Sequence, residues 1–119
     1  MEQLNNRQSP IFSKTYDLML WLLKALNKFP KEQRFRLAER IENTLFAFHE
    51  RLLEAARTKD KQFVLTEADL ELEKLRLYLR LAQDLHCLSF NQYEHAAQMV
   101  NEVGKLLGGW LKTIPAFAA

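Results

Sequence analysis

Ala38, Ile41, Leu45, Phe48, Leu52 and Ala55 recur at alternating steps of three and four residues. That spacing gathers side chains on one face only if the chain is α-helical. Little interrupts such a helix: prolines stand only at positions 10, 30 and 115, and all three glycines fall within 104–109. An apolar share of 48% is ample for a core, and 119 residues fit one domain.

The pattern predicts four helices. The first covers residues 14–28 and stops at Pro30, because the residue before a proline is pushed out of the helical region. Pro30 also suits the first turn of the second helix, where its missing N–H costs nothing; that helix reaches about residue 58. Thr66 with Asp69 forms a weak capping box near the start of the third helix, which extends to about residue 88. Ser89 with Gln92 makes a better box and opens the fourth, which ends before Pro115. Short links favour antiparallel neighbours. The expected fold is therefore all-α, an up-down-up-down four-helix bundle over residues 14–112, with a polar tail at 1–13 and a second tail at 113–119.

The third helix carries two apolar stripes. Ala68, Leu72, Leu75, Leu79 and Ala82 form one, and Leu70, Leu77, Leu81 and Leu88 lie on the opposite side at about 100° per residue. The fourth helix repeats this, with Tyr93, Ala97, Val100, Leu107 and Leu111 on one face and Met99, Val103, Leu106 and Trp110 on another. A second apolar face left in water is a patch that monomers rarely tolerate. The pattern predicts a homo-oligomer whose interface includes Leu70, Leu77, Leu81, Leu88, Met99, Leu106 and Trp110. Gly108 and Gly109 interrupt good helix formers; close packing between helices or a fraying end is the expected reason, and a notch where a partner backbone approaches is the alternative.

Nothing in the chain spells catalysis, and the expectation is that it is not an enzyme and needs no cofactor. The residues three before His49, His86 and His95 are Phe46, Gln83 and Gln92, so the Glu-x-x-His pairs of bundle metal sites are missing. His86 falls on the core stripe of the third helix and reads as a core histidine. No glycine-rich phosphate loop and no nucleophile motif occur. The lone Cys87 fits a reducing compartment. No apolar run approaches the roughly 18 residues of a membrane span, and the polar N-terminus lacks a signal-peptide layout. The predicted setting is cytoplasmic.

The net charge of +2 is small, but its distribution is uneven. Residues 24–40 hold six Lys or Arg against two acids. In an antiparallel bundle Arg76 and Arg80 fall in the half of the third helix nearest that corner. Lys28, Lys31, Arg34, Arg36, Arg40, Arg76 and Arg80 are thus candidates for one basic band, and Arg57, Lys59 and Lys61 form a smaller cluster at the other end. The competing reading is a solvated surface balanced by Glu32, Glu39, Glu42 and Glu73. A band of this kind would hold phosphate backbone without reading base sequence.

The stretches "YDLMLWLLKALNKFPKEQRFRLAERIENTLFAF" and "LEKLRLYLRLAQDLHCLSFNQYEHAAQMVNEVGKLLGGWLK" carry a resemblance over residues 14–112. The most specific pieces are the Lys-Phe-Pro-Lys-x-x-Arg-Phe corner, Arg40-Ile41-Glu42-Asn43 and Gly108-Gly109-Trp110-Leu111-Lys112. They resemble the accessory variability determinant (Avd) proteins of diversity-generating retroelements, which are related to four-helix bundles encoded by intervening sequences in 23S ribosomal RNA genes. The resemblance implies a homopentameric barrel with a basic surface, partnered by the retroelement's reverse transcriptase. It implies a role in mutagenic retrohoming, in which template RNA is copied with errors and the cDNA replaces part of a target gene. Arg34, Arg36 and Arg40 match basic positions of the corner motif, which makes them the first candidates for contact with nucleic acid, RNA or DNA, or with the polymerase. The alternative is a structural or RNA-associated bundle of the intervening-sequence type without a polymerase partner.

Overall fold

Four helices cross the described part of the chain, residues 10–115 of a computed structural model. Helix α1 is Ile11–Leu26. Helix α2 has three parts: a short α-helical turn Lys31–Gln33, a π-helical segment Arg34–Ala38, and the α-helix Glu39–Arg57. Helix α3 is Lys61–Asp84 and α4 is Phe90–Lys112. All regular structure among the described residues is helical. Of the two expected tails, residues 1–9 and 116–119 lie outside the described residues.

The helices pack in a ring, α1 on α2, α2 on α3, α3 on α4 and α4 back on α1. Cross-helix pairs fix their directions. Lys14 meets Glu102 at 3.1 Å, Phe12 meets Trp110 edge-on with centroids 6.0 Å apart, and Trp21 lies against His95 at 4.9 Å. Numbers rising along α1 while falling along α4 make that pair antiparallel. The three-residue link 58–60 does the same for α2 and α3, which Arg51 ties together by its bond to Glu67 at 3.3 Å while it also holds Glu54 of its own helix at 2.8 Å. Two short helix-to-helix bends and one corner thus give the up-down-up-down bundle, 48 × 30 × 21 Å.

All six residues of the α2 seam are buried, as are Ala68, Leu72, Leu75, Leu79 and Ala82 of α3. They meet Leu18, Leu22 and Leu26 from α1 and Ala96, Val100, Val103 and Leu107 from α4. Each large side chain removed from water contributes about 1.5–3 kcal/mol, which makes this core the principal source of stability.

Several expectations change in register. Helix α1 begins three residues early, at Ile11, which is buried; Pro10 supplies the carbonyl that accepts from Lys14 N at 2.9 Å. Helix α3 begins at Lys61, not near Thr66. The Thr66 hydroxyl donates back to the Gln62 carbonyl at 2.7 Å, so Thr66 and Asp69 are interior and form no capping box. The other box is present: Gln92 N donates to Ser89 Oγ at 3.1 Å and Ser89 N to Gln92 Oε1 at 2.9 Å. Replacing Ser89 by alanine should therefore cost about 1 kcal/mol, read as a lower urea midpoint with unchanged slope.

At its far end α3 stops at Asp84, four residues short of the expectation. His86 adopts φ 62°, and its N–H donates to the Gln83 carbonyl while that of Cys87 donates to Ala82. This is the helix-ending turn that usually uses glycine or asparagine. His86 is consequently exposed instead of in the core, and Leu88 leaves the outer stripe and enters the core at 3% exposure. Leu88 is therefore no surface residue.

Leu70, Leu77 and Leu81 do face outward, at 55%, 61% and 42% exposure, and Phe63 extends the row by one heptad. The two faces predicted for α4 merge into one. Val103 is buried, and Met99, Leu106 and Trp110 are half-buried against the core, because α4 packs on both α1 and α3 and needs a wide apolar arc. A β-carbon added at Gly108 or Gly109 would meet nothing within 4 Å, and α4 continues regularly to Lys112. Neither close packing within the protomer nor fraying accounts for these glycines.

Candidate nucleic-acid interface

The corner is built by two anchors and a wide turn between them. Upstream, Phe29 is buried and Pro30, with ψ 148°, turns the chain. Downstream, Leu37, Ala38 and Ile41 are fixed in the core. Between the anchors every residue except the half-buried Gln33 is exposed, so nothing there holds a 3.6-residue register. The π-helical segment Arg34–Ala38 takes up the mismatch, as single wide turns do in otherwise regular helices, frequently at functional sites.

That turn holds Phe35 out from the body at 83% exposure, the most exposed large apolar side chain among the described residues. A groove lies on each side of it. The one between α2 and α3, about 460 Å³, is lined by Arg36, Glu39, Arg40, Asn43, Thr44, Glu71, Lys74 and Tyr78. The one toward α1 holds Leu26, Asn27, Arg34, Ala38 and Glu42. Phe35, Glu39 and Asn43 border both.

The predicted bases are distributed unevenly over these surfaces. Arg36 and Arg40 share the α2–α3 groove, and Arg34 lines the other, where its Nε donates to the Phe29 carbonyl at 3.3 Å. Lys28 and Lys31 are exposed at the corner and line neither groove. Arg76 turns away from them: it pairs with Glu73 at 3.0 Å and lies across Gly104 of α4, where a β-carbon would come within 2.5 Å of its Nη2. Arg80 follows one turn along that same face and is exposed. The basic residue of α3 that joins Arg36 and Arg40 is Lys74. At the other end of the bundle Lys61 is spent on structure, its Nζ donating to the Ala55 and Thr58 carbonyls that end α2, at 2.7 and 2.9 Å.

Phe35, Asn43, Lys74 and Tyr78 are among the lining residues that the sequence candidates omit. Lys74 and Tyr78 were within reach of the antiparallel register, since Arg40 stands level with Tyr78 and Thr44 with Lys74. Phe35 carries no such signal, because its exposure follows from the π-helical turn.

The acids named as balancing partners do not neutralise the corner. Glu73 pairs with Arg76, but Lys28, Lys31, Arg34, Arg36 and Arg40 form no ion pair with a described residue. Within the groove Glu71 is taken by Lys74 at 3.5 Å. Lys31 and Arg34 also stand at the start of α2, where the helix dipole disfavours positive charge by about 0.3–1 kcal/mol each. These bases are placed against helix stability, which a merely solvated surface does not require.

Burial shifts two titratable groups. Burial, aided by nearby Glu32, pushes the Cys87 thiol above its ordinary value, away from the reactive thiolate. Burial lowers His49 against a smaller opposing pull from Glu50, and its Nδ1 has no partner among the described residues. No group of three His, Cys, Asp or Glu side chains among the described residues is arranged to hold a metal ion. None of the described helices is long and apolar enough to cross a membrane.

A comparison with curated proteins finds no match. The family model described as bAvd-like does match, over residues 10–114. The match starts at the proline that caps α1 and runs past the end of α4, so all four helices and the Phe35 corner lie inside it. A match of that extent, to the same family that the sequence resembles, places this chain in the bAvd-like family.

Proposed function

We propose that the protein is a non-catalytic accessory factor of a diversity-generating retroelement, acting beside a reverse transcriptase and contacting its nucleic acid through the α2 corner. The family match over the whole bundle carries this reading. Support comes from the corner, where Arg36, Arg40 and Lys74 share one groove and Arg34, Arg36 and Arg40 form no ion pair with a described residue. Charge presented in this way binds phosphate backbone independently of sequence. The experiment is copurification with the cognate reverse transcriptase. Retention at low salt is the expected result, and complete separation there would overturn the accessory role.

The assembly belongs to the same proposal. Phe63, Leu70, Leu77 and Leu81 give α3 an outward apolar row left exposed among the described residues, and a ring of copies, a pentamer by family analogy, would bury it. Leu70→Glu with Leu77→Glu should leave helicity intact, because both residues are exposed, and reduce the sedimenting mass to that of a protomer. An unaltered mass would rule this face out as the contact.

A further inference from the structure

We infer that Phe35 is a stacking platform for an unpaired base, and that the ligand of the α2–α3 groove is single-stranded nucleic acid rather than duplex. The inference rests on the nucleic-acid reading above and narrows it to one strand state.

Phe35 is exposed at 83% on a helix whose own packing does not use it. It stands between Arg34 and Arg36, and the residues that border it on both sides are mostly polar: Glu39 and Asn43 in each groove, with Arg36 and Arg40 in one and Arg34 in the other. A protein hot spot draws its strength from a packed apolar pocket sealed from water, and Phe35 has no such apolar surround. An isolated ring amid arginines instead matches what single strands require. A flat π-face takes any base, and neighbouring positive charge follows the backbone. In a duplex the bases are stacked on one another and closed to a ring that projects from a helix, so a duplex could use only the charges.

Geometry also orients the strand. The α2–α3 groove beside Phe35 holds Arg36, Arg40 and Lys74 against Glu39 and Glu71, a net positive balance, whereas the α1 side has Arg34 against Glu39 and Glu42. The backbone therefore leaves Phe35 along α2 toward Lys74. Asn43 and Tyr78 line that path and offer hydrogen-bonding groups. Three phosphate contacts per protomer would give a salt slope of about −2, at about 0.7 per contact for single strands.

The test compares a labelled 12-nucleotide oligouridylate with an RNA duplex of the same length, by fluorescence anisotropy across a salt series. Phe35→Ala should weaken oligouridylate binding by about 5- to 150-fold, the worth of one stacked base. Its salt slope should not change, and its effect on duplex should be small. Phe35→Trp should restore affinity and show emission quenched on binding beyond that of Trp21 and Trp110 in the parent. Since Phe35 supports no core contact, circular dichroism and sedimentation of Phe35→Ala should match the parent. Equal oligouridylate binding by Phe35→Ala and parent would overturn the inference, and salt-dependent binding that persists would leave the accessory role standing. A change of sedimenting mass, or loss of the reverse transcriptase with oligouridylate affinity intact, would overturn it in favour of a protein contact. Absence of binding by the parent to either RNA would overturn this inference together with the nucleic-acid contact it rests on, whereas the polymerase partnership is decided by copurification.

Discussion

Shortening Phe48 to alanine should cost about 3–5 kcal/mol, the largest loss of stability expected from a single side chain here. Phe48 sits midway along α2 with no exposed surface, between Leu45 and Leu52 of the same seam. The ring therefore fills space to which the whole bundle contributes. Removing it forfeits the transfer energy of the ring and leaves a cavity that close-packed helices fill only in part. Domains of this size are stable by about 5–15 kcal/mol, so the variant should lose a large share of its stability and unfold at markedly lower urea. Leu53→Ala is the control. Leu53 is on the same helix but 46% exposed, and its truncation should change stability by no more than about 0.5 kcal/mol. A Phe48 cost as small as that of Leu53 would mean that the bundle does not close around α2.

That contrast between neighbouring residues was legible in the sequence, because a 3.6-residue repeat states which face of a helix is apolar. It identified the α2 seam and the inner stripe of α3 residue by residue, and the Ser89–Gln92 box followed from side-chain chemistry alone. Periodicity does not state how many neighbours share a face. Met99, Leu106 and Trp110 therefore read as a second surface of α4, when that helix simply packs on two others. The end of α3 was hidden for another reason. A left-handed turn normally announces itself by glycine, and here the residue is His86, so Leu88 was carried along a helix that had already stopped. In the candidate site the antiparallel order gave the height of Arg76 and Arg80 along the bundle correctly but not their direction around α3. One step of two residues, from Lys74 to Arg76, moves a side chain by about 200°, from the Arg40 groove to the Gly104 side.

Reversing Arg34, Arg36 and Arg40 together to glutamate should weaken RNA binding by on the order of 100-fold at low salt and flatten its salt dependence, while the bundle stays folded. The two effects separate because the charges are not used by the fold. None of the three pairs with a described acid, all are exposed, and glutamate near the start of α2 has the sign that the helix dipole prefers. The one structural loss is the bond from Arg34 Nε to the Phe29 carbonyl, about 1 kcal/mol. The double variant at Arg36 and Arg40 keeps that bond and should retain most of the binding defect. Lys28 and Lys31 provide the discriminating comparison, since they carry the same charge at the same corner without lining either groove. If a diffuse field holds the RNA, reversing those two lysines should hurt as much as reversing the two arginines. If the groove holds it, the arginine pair should dominate by about tenfold or more, as directed contacts to phosphate outweigh distant, screened charge. Binding unchanged in the triple variant would remove the corner from the interface altogether.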